Sequence, residues 1–408
     1  MTTNLLARTS PTVEERATPA RTVGVPVVVL MAWAALFFNV LPPASLETIV
    51  PVPPRLAQLL TQGSLLLALA LALLANRRLL VRPTFFLGLL TVLALASFVV
   101  SLGSEFVLGS LYRGLRLLGF VAVLWLLSPW WGRRDLLLLR AHRLCLWAVL
   151  VTVLLGAAIS PGKAFAYEGR LSGALWPVPP TQVAHFAAVL LGTTVILWMC
   201  RVVTGPHALV AVVVTVGVLI GTHTRTALLG ALLGGAVASA SLFLGHARVR
   251  RVSTSTLVGI IVGATLFAPQ LVGWLARGQS ANEAARLTGR TDVWADIAAT
   301  PRPWLEQMFG SGLSNKSFEG RAVDSNWLAT YVDQGWFGVL LEVSFVLLLL
   351  LAAATHVRGP RRALALFLIV YCIVASITET GLGDASPYLL DLAVAASLLA
   401  APAREVGR

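Results

Sequence analysis

Apolar runs about as long as a lipid bilayer is thick recur between residues 23 and 401 with only short breaks, and this recurrence most narrowly limits the fold. Roughly 20 helical residues cross the hydrocarbon core, where no water is present to satisfy backbone N–H and C=O groups. Only helices or a closed barrel survive there. Barrel strands alternate apolar and polar residues, whereas LLLALALALL and VLLLLLAAA are continuous, so the chain reads as all-α. With 57% hydrophobic and 12% charged residues, an ordinary soluble domain is excluded. The first 22 residues are polar and lack the apolar core of a cleavable signal peptide.

Twelve spans are expected, at 23–41, 56–74, 84–102, 107–128, 136–159, 181–200, 206–221, 224–244, 255–275, 327–354, 361–378 and 385–401. Together they form one membrane domain, 23–401, between an N-terminal tail 1–22 and a C-terminal tail 402–408. Alternate connectors are basic: Arg77, Arg78 and Arg82; Arg133, Arg134, Arg140 and Arg143; Arg201; Arg248, Arg250 and Arg251; Arg358, Arg361 and Arg362. The positive-inside rule puts these in the cytoplasm, with the tails carrying Arg8, Arg16, Arg21, Arg404 and Arg408. The net charge of +13 therefore reflects orientation and does not imply nucleic acid. Lys163 and Lys316 are the only lysines, which, with the Ala/Leu/Val bias, points to a high-GC bacterial source. Cys145, Cys200 and Cys372 each fall inside a span, so no disulfide, metal or redox site is expected.

The outward connectors are then 42–55, 103–106, 160–180, the turn at 222–223, 276–326 and 379–384. The long one, between spans nine and ten, carries Arg277, Arg286, Arg290, Arg302, Lys316 and Arg321 against the orientation rule. Loops this long inside a compact domain are usually functional or disordered. Leu287, Val293, Trp294, Ile297 and Trp304 instead suggest a helix at the membrane surface, ended by Pro301.

Three outward segments hold arginine beside small or polar residues: GRLSG with Arg170, THTRTALLG with Arg225 and LTGRTDVW with Arg290. Interfacial snorkelling or a salt bridge accounts for any one of them. Jointly they suggest a shared anion site, because arginine's planar fork matches phosphate oxygens and several can hold a diphosphate without a metal. Arg113 and Arg116, one turn apart near the outer end of span four, could line the same cavity or serve structure. His223 is a candidate base or a solvated helix-end histidine, and His185 reads as a packed core residue.

RLSGALWPVPPTQVAHF, THTRTALL, LTGRTDVWADI followed by FGSGLSN, and DSNWLATYVDQGWFGVLL, in this order, resemble the O-antigen ligase and O-antigen polymerase superfamily over residues 165–354. The last segment is the most specific, with Asp324, Trp327, Leu328, Asp333, Gly335 and Gly338 filling the family pattern. The resemblance implies a polytopic fold of the GT-C kind. It also implies a metal-independent glycosyltransferase, without cofactor, in the bacterial cytoplasmic membrane. Such an enzyme moves a glycan from an undecaprenyl diphosphate carrier to a hydroxyl acceptor on the outer face. Arg170, Arg225 and Arg290 would bind the donor diphosphate, with Arg113, Arg116, His223 and Arg321 nearby. Asp324, where the ligases carry a histidine, would be the base, with Asp292 and Glu319 in reserve. The alternative to that base is an aspartate that caps the tenth helix or pairs with Arg321 or Arg290.

A membrane transporter of a lipid-linked or anionic substrate is the rival reading, since twelve helices with both termini inside also describe the major facilitator architecture. Against it, LLANRRLLVRP lacks that family's Gly and Asp, and the long polar loop is not at the midpoint. A metal-dependent glycosyltransferase would need paired carboxylates in the first outer loop, where Glu47 stands by itself.

Overall fold

The computed structural model describes residues 27–41, 46–51, 53–104, 106–243, 245, 247–276, 290–313, 317–318 and 320–402. Arg277, Arg286, Leu287, Lys316, Glu319 and the arginines of both tails lie outside the described residues. A helix occupies each of the twelve expected intervals. The first six helices are α1 (Val27–Asn39), α2 (Pro54–Ala75), α3 (Phe85–Ser101), α4 (Val107–Leu127), α5 (Leu137–Ile159) and the short α6 (Pro161–Ala164). The central group is α7 (Pro180–Met199), α8 (Gly205–Thr222), α9 (Arg225–Phe243), α10 (Ala247–Leu266) and α11 (Ala268–Ala276). Then come α12 (Arg290–Ala299), α13 (Trp304–Phe309), α14 (Asn326–Thr355), α15 (Pro360–Ala375) and α16 (Pro387–Leu399).

Among the described residues, eight of these helices are long and apolar enough to cross a membrane, and α1, α3 and α16 are shorter apolar helices. The chain is an all-α, helical membrane protein.

Close backbone approach at small residues holds membrane helices together, because lipid supplies no hydrophobic drive between them. Gly230 and Gly234 of α9 show this against α15: a Cβ on Gly230 would meet the Tyr371 ring at 2.9 Å, and one on Gly234 the Phe367 carbonyl at 2.9 Å. The α16 helix is buried from Pro387 to Leu398 and sits at the centre of the bundle. It carries Asp391, whose Oδ1 lies 2.8 Å from Nε2 of His142 on α5 and whose Oδ2 lies 3.2 Å from Nε2 of His185 on α7. The Tyr371 hydroxyl of α15 is 3.2 Å from Nδ1 of His185. Asp391 is therefore set against two histidines inside the core, and pairing of this kind is how an ionisable group persists there. His185 is thus the buried core histidine expected of it.

Two spans depart from their expected form. Span 255–275 begins earlier and divides into α10 and α11, with Val249 the one described α10 residue that is buried. Span 327–354 is broken at Gly335, whose φ of +66° and ψ of −170° no helix contains. A Cβ on Gly335 would stand 2.4 Å from the main chain of Met308, and one on Gly310 would stand 2.3 Å from that of Asp333. Glycine at both positions lets α13 press against the α14 backbone, so residues 326–334 form a short helix turned away from 336–355. At 1.5 Å per residue, the segment 336–355 alone covers about 30 Å, the thickness of the hydrocarbon core.

The described residues of the long loop are folded. Val293 and Ile297 of α12 pack on Val323, Ala329 and Val332, so the expected surface helix sits against the first turns of α14 and ends just before Pro301. A two-residue hairpin, β1 (Ser317–Phe318) with β2 (Arg321–Ala322), follows it.

Candidate functional site

Four charged side chains from separate parts of the sequence meet where the 222–224 turn, α12, the approach to α14 and the α15–α16 connector converge. The first is Arg170. It follows a tight turn at Glu168 and Gly169, both with positive φ, and its Nε donates to the Thr222 carbonyl at 2.9 Å while Nη2 donates to Thr224 Oγ1 at 3.1 Å. Burial lowers its proton affinity, with the nearby Glu168 carboxylate opposing. Arg290 opens α12 and donates from Nε to Asp324 Oδ2 at 3.1 Å. This pair is half-exposed, at 29% and 46%. The fourth group is Glu379, four residues beyond the end of α15 and within electrostatic reach of Arg290, Asp324 and Arg170.

Glu379 is the residue that reading the sequence missed. Burial raises its carboxyl to about 7, outweighing the lowering by Arg290 and Arg170, and Asp324 adds to the rise. A carboxylic acid poised near neutrality beside two guanidinium groups is the kind of group proton-transfer chemistry uses.

Arg225 starts α9, one residue beyond the Arg170-bound Thr224. Next to it, Thr226 Oγ1 lies 2.8 Å from Thr378 Oγ1, beside Glu379. The helix macrodipole is positive at this end, so an arginine there favours an anion close by, and Arg290 stands at the same position on α12.

The other expected residues go elsewhere. Arg116 donates to Asn39 Oδ1 at 3.2 Å, to the Asn39 carbonyl at 2.9 Å and to the Ala385 carbonyl at 3.2 Å, so it clamps the far end of the connector. Arg113 and Arg116 share electrostatic reach with Tyr112 and Asp384. His223, held at a φ of +50°, stacks on Trp274 at 5.2 Å. Arg321 pairs with Asp296 at 2.7 Å. Asp324 precedes the helix instead of capping it: the N-cap is Ser325, which makes no side-chain cap bond. Asp292 lies in the first turn of α12, and Glu319 is outside the described residues.

The connector 376–386 is fixed by α14. Asn326 accepts from Gly381 N at 3.0 Å and Leu382 N at 2.8 Å through Oδ1, and its own N–H bonds the Ser376 carbonyl at 3.0 Å. Its Nδ2 donates to Glu342, a fully buried carboxylate that also accepts from Thr330 Oγ1 at 2.7 Å. Among the described residues no group of three or more His, Cys, Asp or Glu is placed to hold a metal. No model of a known protein family and no curated protein matches this chain.

Proposed function

We propose that this chain is a metal-independent glycosyltransferase of the O-antigen ligase and polymerase kind, acting at the outer face of a bacterial cytoplasmic membrane. In this reading it spans the bilayer twelve times with both termini inside. The gathering of Arg170, Arg290, Asp324 and Glu379, with Arg225 beside them, carries the reading. The arginines hold the diphosphate of an undecaprenyl-linked donor and stabilise it as it departs.

The acceptor hydroxyl attacks the anomeric carbon as the bond from that carbon to the diphosphate oxygen breaks. The electron pair leaves with the diphosphate, and the hydroxyl proton passes to Glu379. Attack opposite the leaving group inverts the anomeric carbon. Asp324, ion-paired at 3.1 Å, keeps Arg290 oriented, so the base role moves from Asp324 to Glu379.

Purified protein in liposomes, supplied with an undecaprenyl diphosphate glycan and an acceptor glycan, is expected to release undecaprenyl diphosphate at an unchanged rate in excess EDTA. Loss of turnover with chelator would refute the metal-independent reading, and transfer of intact lipid-linked glycan across the bilayer without bond cleavage would favour a transporter. Orientation has a separate test in a single cysteine at position 321 on a background free of the native three. It should react with an impermeant maleimide in intact cells, and reaction only after the cytoplasm is opened would invert the topology.

A further inference from the structure

The groups that would bind phosphate and the group that would take the proton reach the charged cluster on different parts of the chain. Arg170 stands between α6 and α7, Arg225 opens α9, and Glu379 follows α15. Catalysis needs a fixed spacing between such groups, since a displacement of about 1 Å can cost as much as a lost contact.

The THTRT segment, residues 222–226, joins them. At one end the Thr222 carbonyl accepts from Arg170 Nε at 2.9 Å, and Thr224 Oγ1 accepts from Arg170 Nη2 at 3.1 Å. At the other end Thr226 Oγ1 lies 2.8 Å from Oγ1 of Thr378, the residue before Glu379. Arg225 sits between the two ends.

A bond across elements is not what other threonines of this bundle make. Thr61, Thr193 and Thr215 donate to the carbonyl four residues earlier, at 3.0, 2.8 and 2.6 Å. For Thr226 that carbonyl belongs to Thr222. Arg170 Nε and Thr224 Oγ1 already donate to it, the latter at 3.2 Å, which uses both of its lone pairs. The chain between also turns at His223 with a φ of +50°. The Thr226 hydroxyl therefore meets Thr378 instead.

Glu379 has few other anchors. Its own N–H bonds the Ala375 carbonyl at 2.9 Å, at the end of α15, and the connector is next fixed at Gly381 and Leu382 by Asn326 and Ser386. Among the described residues, the bond from Thr378 to Thr226 is the one side-chain hydrogen bond of the stretch 377–380.

We propose that Thr226 and Thr378 are a positioning pair whose hydrogen bond sets the reach from the Glu379 carboxyl to the diphosphate on Arg225 and Arg170. The proposal rests on the glycosyl-transfer reading. The two threonines act through Glu379 and take no part in the bonds that form and break.

Thr226→Val and Thr378→Val keep the branched shape and each remove one hydroxyl, whereas Thr226→Ser and Thr378→Ser keep it. The experiment uses full-length protein in nanodiscs with an undecaprenyl diphosphate glycan and an acceptor glycan. Either valine is expected to lower kcat about tenfold, while the Kd for undecaprenyl diphosphate stays within about twofold. Each serine should return kcat to within about twofold of the wild type. The double valine variant should be no slower than either single one, because both delete the same bond. Should one valine variant not fold, the other and its serine counterpart decide. An unchanged kcat with valine, additive losses, no recovery with serine, or a loss of diphosphate binding equal to the loss of rate overturns the pair. A wild-type protein that binds undecaprenyl diphosphate but transfers no glycan overturns the glycosyl-transfer reading and the pair with it, so the two failures are told apart.

Discussion

Alanine at Arg290, and separately at Arg225, is expected to lower glycan transfer on the order of 100-fold or more, as removal of a charged group facing a developing anion does. Arg290 holds Asp324 through Nε, which leaves Nη1 and Nη2 of the same planar fork for phosphate oxygens. Lysine has one nitrogen for both tasks and should recover little of the loss. Donor Kd should rise less than turnover falls, because the diphosphate gains charge as the anomeric bond breaks. Measured rates in the reconstituted assay decide it. Alanine at both positions with near-normal transfer would move the donor site elsewhere.

Glu379→Gln should also reduce transfer by on the order of 100-fold, the lower part of the range for losing a general base. Its pH dependence is more telling than its size. The working form is the carboxylate, so the wild-type rate should climb with pH through about 7, where burial sets this group, and flatten above it. The glutamine variant should lose that inflection. Asp324→Asn provides the contrast: the Asp324 charge helps raise the Glu379 carboxyl, so its removal should shift the inflection to lower pH while leaving a measurable rate. A glutamine variant with the wild-type profile would return the base role to Asp324 or to another group.

How far the sequence reaches follows from which forces act locally. Apolar runs of bilayer length state their own helices, and each expected interval does contain one. The Arg170 and Arg290 segments stood out because guanidinium groups in connectors expected to face outward run against the orientation rule. Glu379 gave no such signal: an acidic residue in a short connector looks solvated, and the charges it meets, those of Arg170, Arg290 and Asp324, stand 55 residues or more away in sequence. The break at Gly335 was hidden as well, since a glycine in an apolar run reads as a packing site and its positive φ arises only from the approach of α13. Arg113 and Arg116 were grouped with the other arginines by charge alone, yet Arg116 is occupied with Asn39 and Ala385.

The buried Asp391 also bears on how the protein is made. Its two histidine partners, on α5 and α7, leave the ribosome some 200 residues or more before it does. Until α16 arrives, His142 and His185 sit in helices already handed to the membrane with no acid to meet them, and the bundle lacks its most buried helix. A chain stopped before residue 387 therefore carries two polar marks inside an unsealed bundle, the kind of exposed intramembrane polarity that insertion and quality-control machinery can sense. Arrival of one aspartate removes both marks together, so the core closes only once α16 is in place.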